Sequence, residues 1–218
     1  MSELNPREEL DARIPVAEGE GTASRIRPAS LAHIAFRTRQ LQEMQRWYCD
    51  VLCAEAVFSN SEVAFIAYDE EHHRIALVNL ETNRGPSSSP GMGFYHAAFS
   101  YSCVQELVGT YERLACRGIR PWRLINHGPT ISFYYRDPDG NDIELQVDRF
   151  HSAKEATQWM TGAVFAANPI GVEIDPEFLI RCVRAGIPDC LLFQRPDERG
   201  ESYTAWRARL ESLIESDD

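Results

Sequence analysis

Apolar and polar residues follow regular periods over most of the chain beyond residue 30, and the period changes in a repeating order. LAHIAFRT reads as a short strand, and Leu41 to Leu52 then carries Met44, Trp47, Tyr48, Val51 and Leu52 on one face at helical spacing. EAVFSN, VAFIAYD and HRIALVNL are strand-like runs. The order strand, helix, strand, strand, strand then recurs. GFYHAAFSYS is a strand, and VQELVGTYERLACRG is a helix predicted to stop at Gly118, a C-cap position. IRPWRLIN, TISFYYRDP and NDIELQVD are strands, with Asp139-Gly140 turning between the last two.

The two halves align on their chemistry as well as their periods. LAHIAF matches FYHAAF, which sets His33 opposite His96, and RIALV matches DIELQ, which sets Ala76 opposite Glu144. A repeat of roughly 60 residues exceeds a solenoid unit. It predicts an α+β domain of two βαβββ modules, residues 30–82 and 92–148, wrapped about a central cleft. Residues 1–29 are polar and rich in Glu, Pro and Gly, and are expected to form a flexible arm. Residues 149–218 read as a mainly helical extension with a Pro-rich connection, packed on the domain or across a subunit interface.

Composition narrows the partners. A net charge of −11 argues against nucleic acid, which needs clustered Lys and Arg. No window approaches the roughly 20 apolar residues of a membrane span, and the acidic N-terminus lacks the apolar run of a signal peptide. The six cysteines include no C-x-x-C pair. They are read as reduced thiols, mostly core or half-buried, in a cytoplasmic protein.

His33, His96 and Glu144 each sit inside an apolar strand. Two histidines and a carboxylate on three strands can form a facial triad that leaves one side of a metal ion open. A buried Glu without a partner is costly, and a bridging divalent cation removes that cost. The segment INHGPTISFYYRDPDGNDIE adds His127, Tyr134 and the turn Asp137-Pro138-Asp139-Gly140 ahead of Glu144. By strand alternation Tyr134 and Ser132 share one face, while Phe133 and Tyr135 take the other. His73, in HHRIAL, opens the last strand of the first module.

Over residues 30–148 the chain resembles the vicinal oxygen chelate superfamily, and the His127–Glu144 segment resembles the signature of its extradiol ring-cleaving dioxygenases. The resemblance implies a half-open barrel holding one Fe(II), with Mn(II) second, on His33, His96 and Glu144. Glyoxalase I members use four ligands; Ala76 cannot ligate, so three remain and more positions stay open. The substrate implied is a catechol with O2, both oxygen atoms entering the ring beside the diol. Two neutral histidines, one carboxylate and Fe(II) sum to +1, which a monoanionic catecholate neutralises. His73 is the implied general base, Tyr134 bonds the deprotonated oxygen, and His127 orients the substrate. Phe94, Tyr95, Trp122, Phe133 and Tyr135 are candidates for a hydrophobic or bicyclic pocket. The alternatives are a fosfomycin-type thiol transferase and a metal-free drug-binding protein. A homo-oligomer of the short, single-domain type is expected.

Overall fold

The computed structural model describes residues 31–80 and 95–215; the expected N-terminal arm and Phe94 lie outside them. The elements run β1 (Ile34–Thr38), α1 (Leu41–Leu52), β2 (Glu55–Ser59), β3 (Val63–Ala67) and β4 (Ile75–Asn79), then β5 (His96–Tyr101), α2 (Val104–Ala115), β6 (Arg123–Asn126), β7 (Thr130–Arg136) and β8 (Asp142–Asp148). The protein is thus α+β, with two βαβββ modules followed by a helical tail. The first sheet has the order β1-β4-β3-β2. The second has β5-β8-β7-β6 and gains a fifth strand from the tail, β9 (Val172–Glu173).

Each helix covers one face of its own sheet. Leu41, Met44, Tyr48 and Val51 of α1 are buried, and the Phe36 and Tyr48 rings stack at 5.4 Å. In α2 the buried row is Val104, Leu107, Val108, Tyr111 and Leu114, with Tyr111 stacked on Phe133 at 5.3 Å. The helix stops as predicted: Gly118 takes a φ of 76°, and Ile119 N–H returns to Leu114 O at 3.0 Å.

The registers bear out the alignment of the two halves. In the first sheet β1 runs parallel to β4 with Ala35 opposite Ala76; in the second β5 runs parallel to β8 with Ala98 opposite Glu144. Both alanines follow their histidine by two positions, so Ala76 occupies the place that Glu144 holds in the other module.

The Asp-Pro-x-Gly turn joins the modules. Asp137, 4% exposed, accepts from the backbone N–H groups of Asp139 and Asn141 through Oδ1 and from Asn141 Nδ2 through Oδ2. Tyr48 of α1 donates to the same Oδ2 at 3.1 Å. Gln40 Nε2 caps the turn from outside, donating to Pro138 O at 2.8 Å and Asp139 Oδ1 at 2.7 Å. The motif therefore fixes the start of β8, and its Asp is a turn-builder.

The tail is α3 (Ala153–Met160), α4 (Ala163–Ala167), β9, α5 (Pro176–Arg184), α6 (Asp189–Leu192), a 3-10 turn and α7 (Tyr203–Glu215). It packs on the second module: Phe178, Leu179, Cys182, Leu192, Phe193 and Trp206 join the core. The expected helices are present, while β9 was not foreseen. The cysteines are free; Cys182 is buried, Cys49 and Cys103 are half-buried, and Cys53, Cys116 and Cys190 are exposed, so half rather than most of them are core or half-buried. Cys53 and Cys116 are the C-caps of α1 and α2, and Cys190 lies in the short helix α6.

Tyr48→Phe leaves one Asp137 lone pair without its buried donor. Urea denaturation should show a loss of about 1–2 kcal/mol with an unchanged slope.

Candidate functional site

Strand alternation assembles the site on the face of the second sheet that points away from its helix. Ile143, Leu145, Ile131, Phe133 and Tyr135 point to the helices and are buried, so Glu144 and Tyr134 point the other way. Tyr134 lies directly opposite Glu144, and Arg123 opposite Tyr134. His96 opens β5, and His127 follows the last residue of β6.

Glu144 is 5% exposed and is the hub of the group. The Tyr134 hydroxyl donates to Oε1 at 3.0 Å, and His96 Nε2 lies 3.0 Å from Oε2. His127 Nε2 is 2.9 Å from the Tyr134 oxygen and 4.0 Å from Oε1. The Tyr134 hydroxyl thus bridges Glu144 and His127, and the direction of its bond to His127 follows the imidazole tautomer. Burial, reinforced by the Glu144 charge, pushes the Tyr134 hydroxyl above the usual phenol range, so it remains a donor at neutral pH. Burial also pulls His127 below the ordinary histidine value, opposed by Glu144 and by a bond to the Ile170 backbone.

The other two histidines of interest lie on the first module. His33, just ahead of β1, has its ring 4.5 Å from that of His73. His73 stacks on Phe65 at 4.7 Å and shares a 2.6 Å Nδ1···Nδ1 contact with His72. Burial lowers the His73 pKa, with His33 and His72 adding to the shift. The structure therefore gathers His96, Glu144, Tyr134 and His127 at one place and His33 with His73 at another. Among the described residues no group of three or more His, Cys, Asp or Glu is gathered as a metal site.

The donor set at Glu144 nevertheless fits a cation. His96 Nε2 and Glu144 Oε2 face each other as an ion pair at 3.0 Å, a spacing that two neighbouring ligands at about 2.1 Å on an octahedral ion would also have. His96 Nδ1 is buried and has no hydrogen-bond partner, so the ring is not oriented from behind by the usual second contact. His33 and His96 stand at equivalent places, each at the start of a strand on the edge of its sheet, β1 and β5.

A cleft of about 230 Å³ adjoins this group, lined by Tyr95, His96, Trp122, Arg123, Ile125, His127, Tyr134, Pro169 and Ile170. Of the aromatic candidates, Tyr95 and Trp122 line it, whereas Phe133 and Tyr135 belong to the core. Arg123, Ile125, Pro169 and Ile170 were not foreseen. The first two follow from counting alternation back from Tyr134 through its partner strand. For Pro169 and Ile170 the only sequence signal is an isolated Ile inside a Pro- and Gly-containing connection.

Residues 30–145 match the model of the Glyoxalase/Bleomycin resistance protein/Dioxygenase superfamily. The chain is 41% identical over 157 residues to biphenyl-2,3-diol 1,2-dioxygenase 2 of Rhodococcus globerulus, covering 72% of this chain and 83% of that protein. It is 38% identical over 184 residues to biphenyl-2,3-diol 1,2-dioxygenase 3 of the same organism, covering 84% and 92%. A probable lactoylglutathione lyase of Synechocystis sp. is 29% identical over 125 residues, covering 53% and 92%. No helix among the described residues is long and apolar enough to cross a membrane. On the family model and on these two relatives, the chain belongs to the glyoxalase/bleomycin resistance protein/dioxygenase superfamily.

Proposed function

We propose that the protein is an extradiol dioxygenase, which opens a catechol-type ring beside its diol with both atoms of O2, using one Fe(II) held by His33, His96 and Glu144. The observation that carries this reading is the buried Glu144 hub. One carboxylate there meets a histidine at ligand spacing and a tyrosine–histidine pair that opens onto a cleft. The biphenyl-2,3-diol 1,2-dioxygenase relatives support the substrate class.

His33 is the remaining ligand in this reading. His33 and His96 stand at the starts of the edge strands β1 and β5, so a metal would be held by one residue of the first module and two of the second. Ala76, opposite Ala35 and Phe65, has no ligating atom, which keeps the protein ligands at three. When bound, iron(II) supplies open coordination positions and a route for electrons from an electron-rich ring to dioxygen.

The protein's own groups then divide the proton work. With Glu144 taken up as a ligand, the protonated Tyr134 hydroxyl would be free to donate to a diol oxygen and keep it in register with the cleft. His127 fixes the Tyr134 hydroxyl through Nε2 and reaches the same oxygen. His73, beside His33, accepts the proton that a diol loses on binding and can return it to the opening ring. Trp122 and Ile125 line the cleft beside the ring and keep water off it.

Anaerobically purified protein should contain about one iron per chain by metal analysis, and Glu144→Ala should contain almost none.

Catechols should be consumed with an equal amount of O2 and give a yellow ring-fission product. Full iron content with no oxygen uptake on any catechol would refute the dioxygenase reading and leave the superfamily membership intact.

Tyr134→Phe and His73→Ala should keep their iron and slow turnover by about 10²–10⁴-fold. Loss of iron in His73→Ala would instead make His73 a ligand.

A further inference from the structure

Three of the eight large hydrophobic residues that are exposed among the described residues, Tyr95, Trp122 and Ile170, line the same small cleft. Exposed apolar groups scattered singly need no explanation, but a cluster about one concavity is surface that a ligand covers. Ile170 is 59% exposed and comes from the tail, 36 positions after Tyr134 of β7, so its placement has to be built by long-range contacts.

Those contacts are unusually complete. β9 pairs antiparallel with β6, with Asn126 opposite Val172 and Ile125 opposite Glu173. Gly171, at a φ of 98°, presses against that strand so closely that a Cβ would lie 2.2 Å from Asn126 O. Asn168 folds the loop on itself: its Oδ1 accepts from Gly171 N–H at 3.0 Å, and its Nδ2 donates to Gly171 O at 3.0 Å. Asn126 is wholly buried and donates to Leu192 O and Phe193 O, which holds the next part of the tail against the same strand.

Arg195 closes the arrangement. It is fully buried, and its Nη1 donates both to His127 O at 2.8 Å and to Asn168 O at 3.0 Å. Asp197 neutralises it through Nε at 2.8 Å and through a second bond at Nη2. A buried guanidinium is tolerated only with its charge paired and its donors used, and here two of those donors tie a residue of the proposed chemistry to the loop that carries Pro169 and Ile170.

We infer that the tail loop from Asn168 to Gly171 is the specificity wall of the cleft, with Ile170 covering an apolar substituent on the ring and Arg195 acting as its positioning residue. The wall sets which diol is held, separately from the groups that act on the diol itself. It rests on the ring-cleavage reading for the class of ligand. The substrate favoured is accordingly a catechol carrying an aryl or bulky alkyl group, and unsubstituted catechol makes no use of Ile170.

The test compares two ligands on one sample, so that a change in the folded fraction cancels. Binding of catechol and of biphenyl-2,3-diol to the iron-loaded protein is measured anaerobically by calorimetry for wild type, Ile170→Ala and Arg195→Lys. Ile170→Ala should weaken biphenyl-2,3-diol by about tenfold, as expected for losing two to three buried carbons. It should change catechol by less than about twofold, because the bare ring does not reach that side chain. Arg195→Lys should lower the same preference, since one ammonium cannot hold both carbonyls and Asp197. Equal weakening of both ligands, or of neither, overturns the wall. Oxygen uptake separates this from the reaction itself. A wild type that binds with the Ile170-dependent preference but consumes no O2 refutes ring cleavage and keeps the wall. One that turns over both diols with a preference unmoved in Ile170→Ala refutes the wall and keeps ring cleavage.

Discussion

The structure turns on a carboxylate that strand geometry forces out of water. Glu144 sits between Ile143 and Leu145, which alternation commits to the helical core, so its side chain must enter the opposite face beside Tyr134 and Ala98. A buried carboxylate left alone costs several kcal/mol. Tyr134, His96 and His127 answer that cost, and each is available because it starts, ends or crosses the same sheet. The turn at Asp137 matters for the same reason. Its hydrogen bonds to Asn141 and Tyr48 set where β8 begins, and hence where Glu144 points.

The duplicated module explains why the chemistry is lopsided. The same βαβββ plan places Ala76 and Glu144 at equivalent points, and His33 and His96 at equivalent strand starts. Only the second module has the carboxylate, the hydroxyl and the cleft. The first contributes a histidine pair, with His73 stacked on Phe65 and the His33 ring tilted against His73. In the proposed reading a cation would be held by His33 of the first module and by His96 and Glu144 of the second.

Much of this was legible in the residues. The helices declared themselves by period, Gly118 by its role as a stop, and the two sheets by a repeated strand order. Alternation separated Tyr134 and Ser132 from Phe133 and Tyr135. The latter pair, expected at the pocket, belongs to the core, because which face of a strand meets its helix is settled by packing. The tail was legible only as helix. β9 is two residues long and exists because Asn126 and Ile125 offer it a free strand edge. Arg195 reads as a surface charge in QRPDERG, and its burial depends on carbonyls of His127 and Asn168 that lie 68 and 27 positions away. Local pattern carries no information on such pairings, and so the cleft wall they build could not be read from the chain alone.

The claim on which the rest depends is that one metal centre joins the two modules at Glu144. Anomalous diffraction at the iron edge from crystals of the iron-loaded protein tests it most directly. The account predicts a single strong peak bonded to His33, His96 and Glu144, with Tyr134 and His127 outside the ligand shell. A peak held by His73 or His127 in place of one of the three, or iron bound away from Glu144, would contradict it.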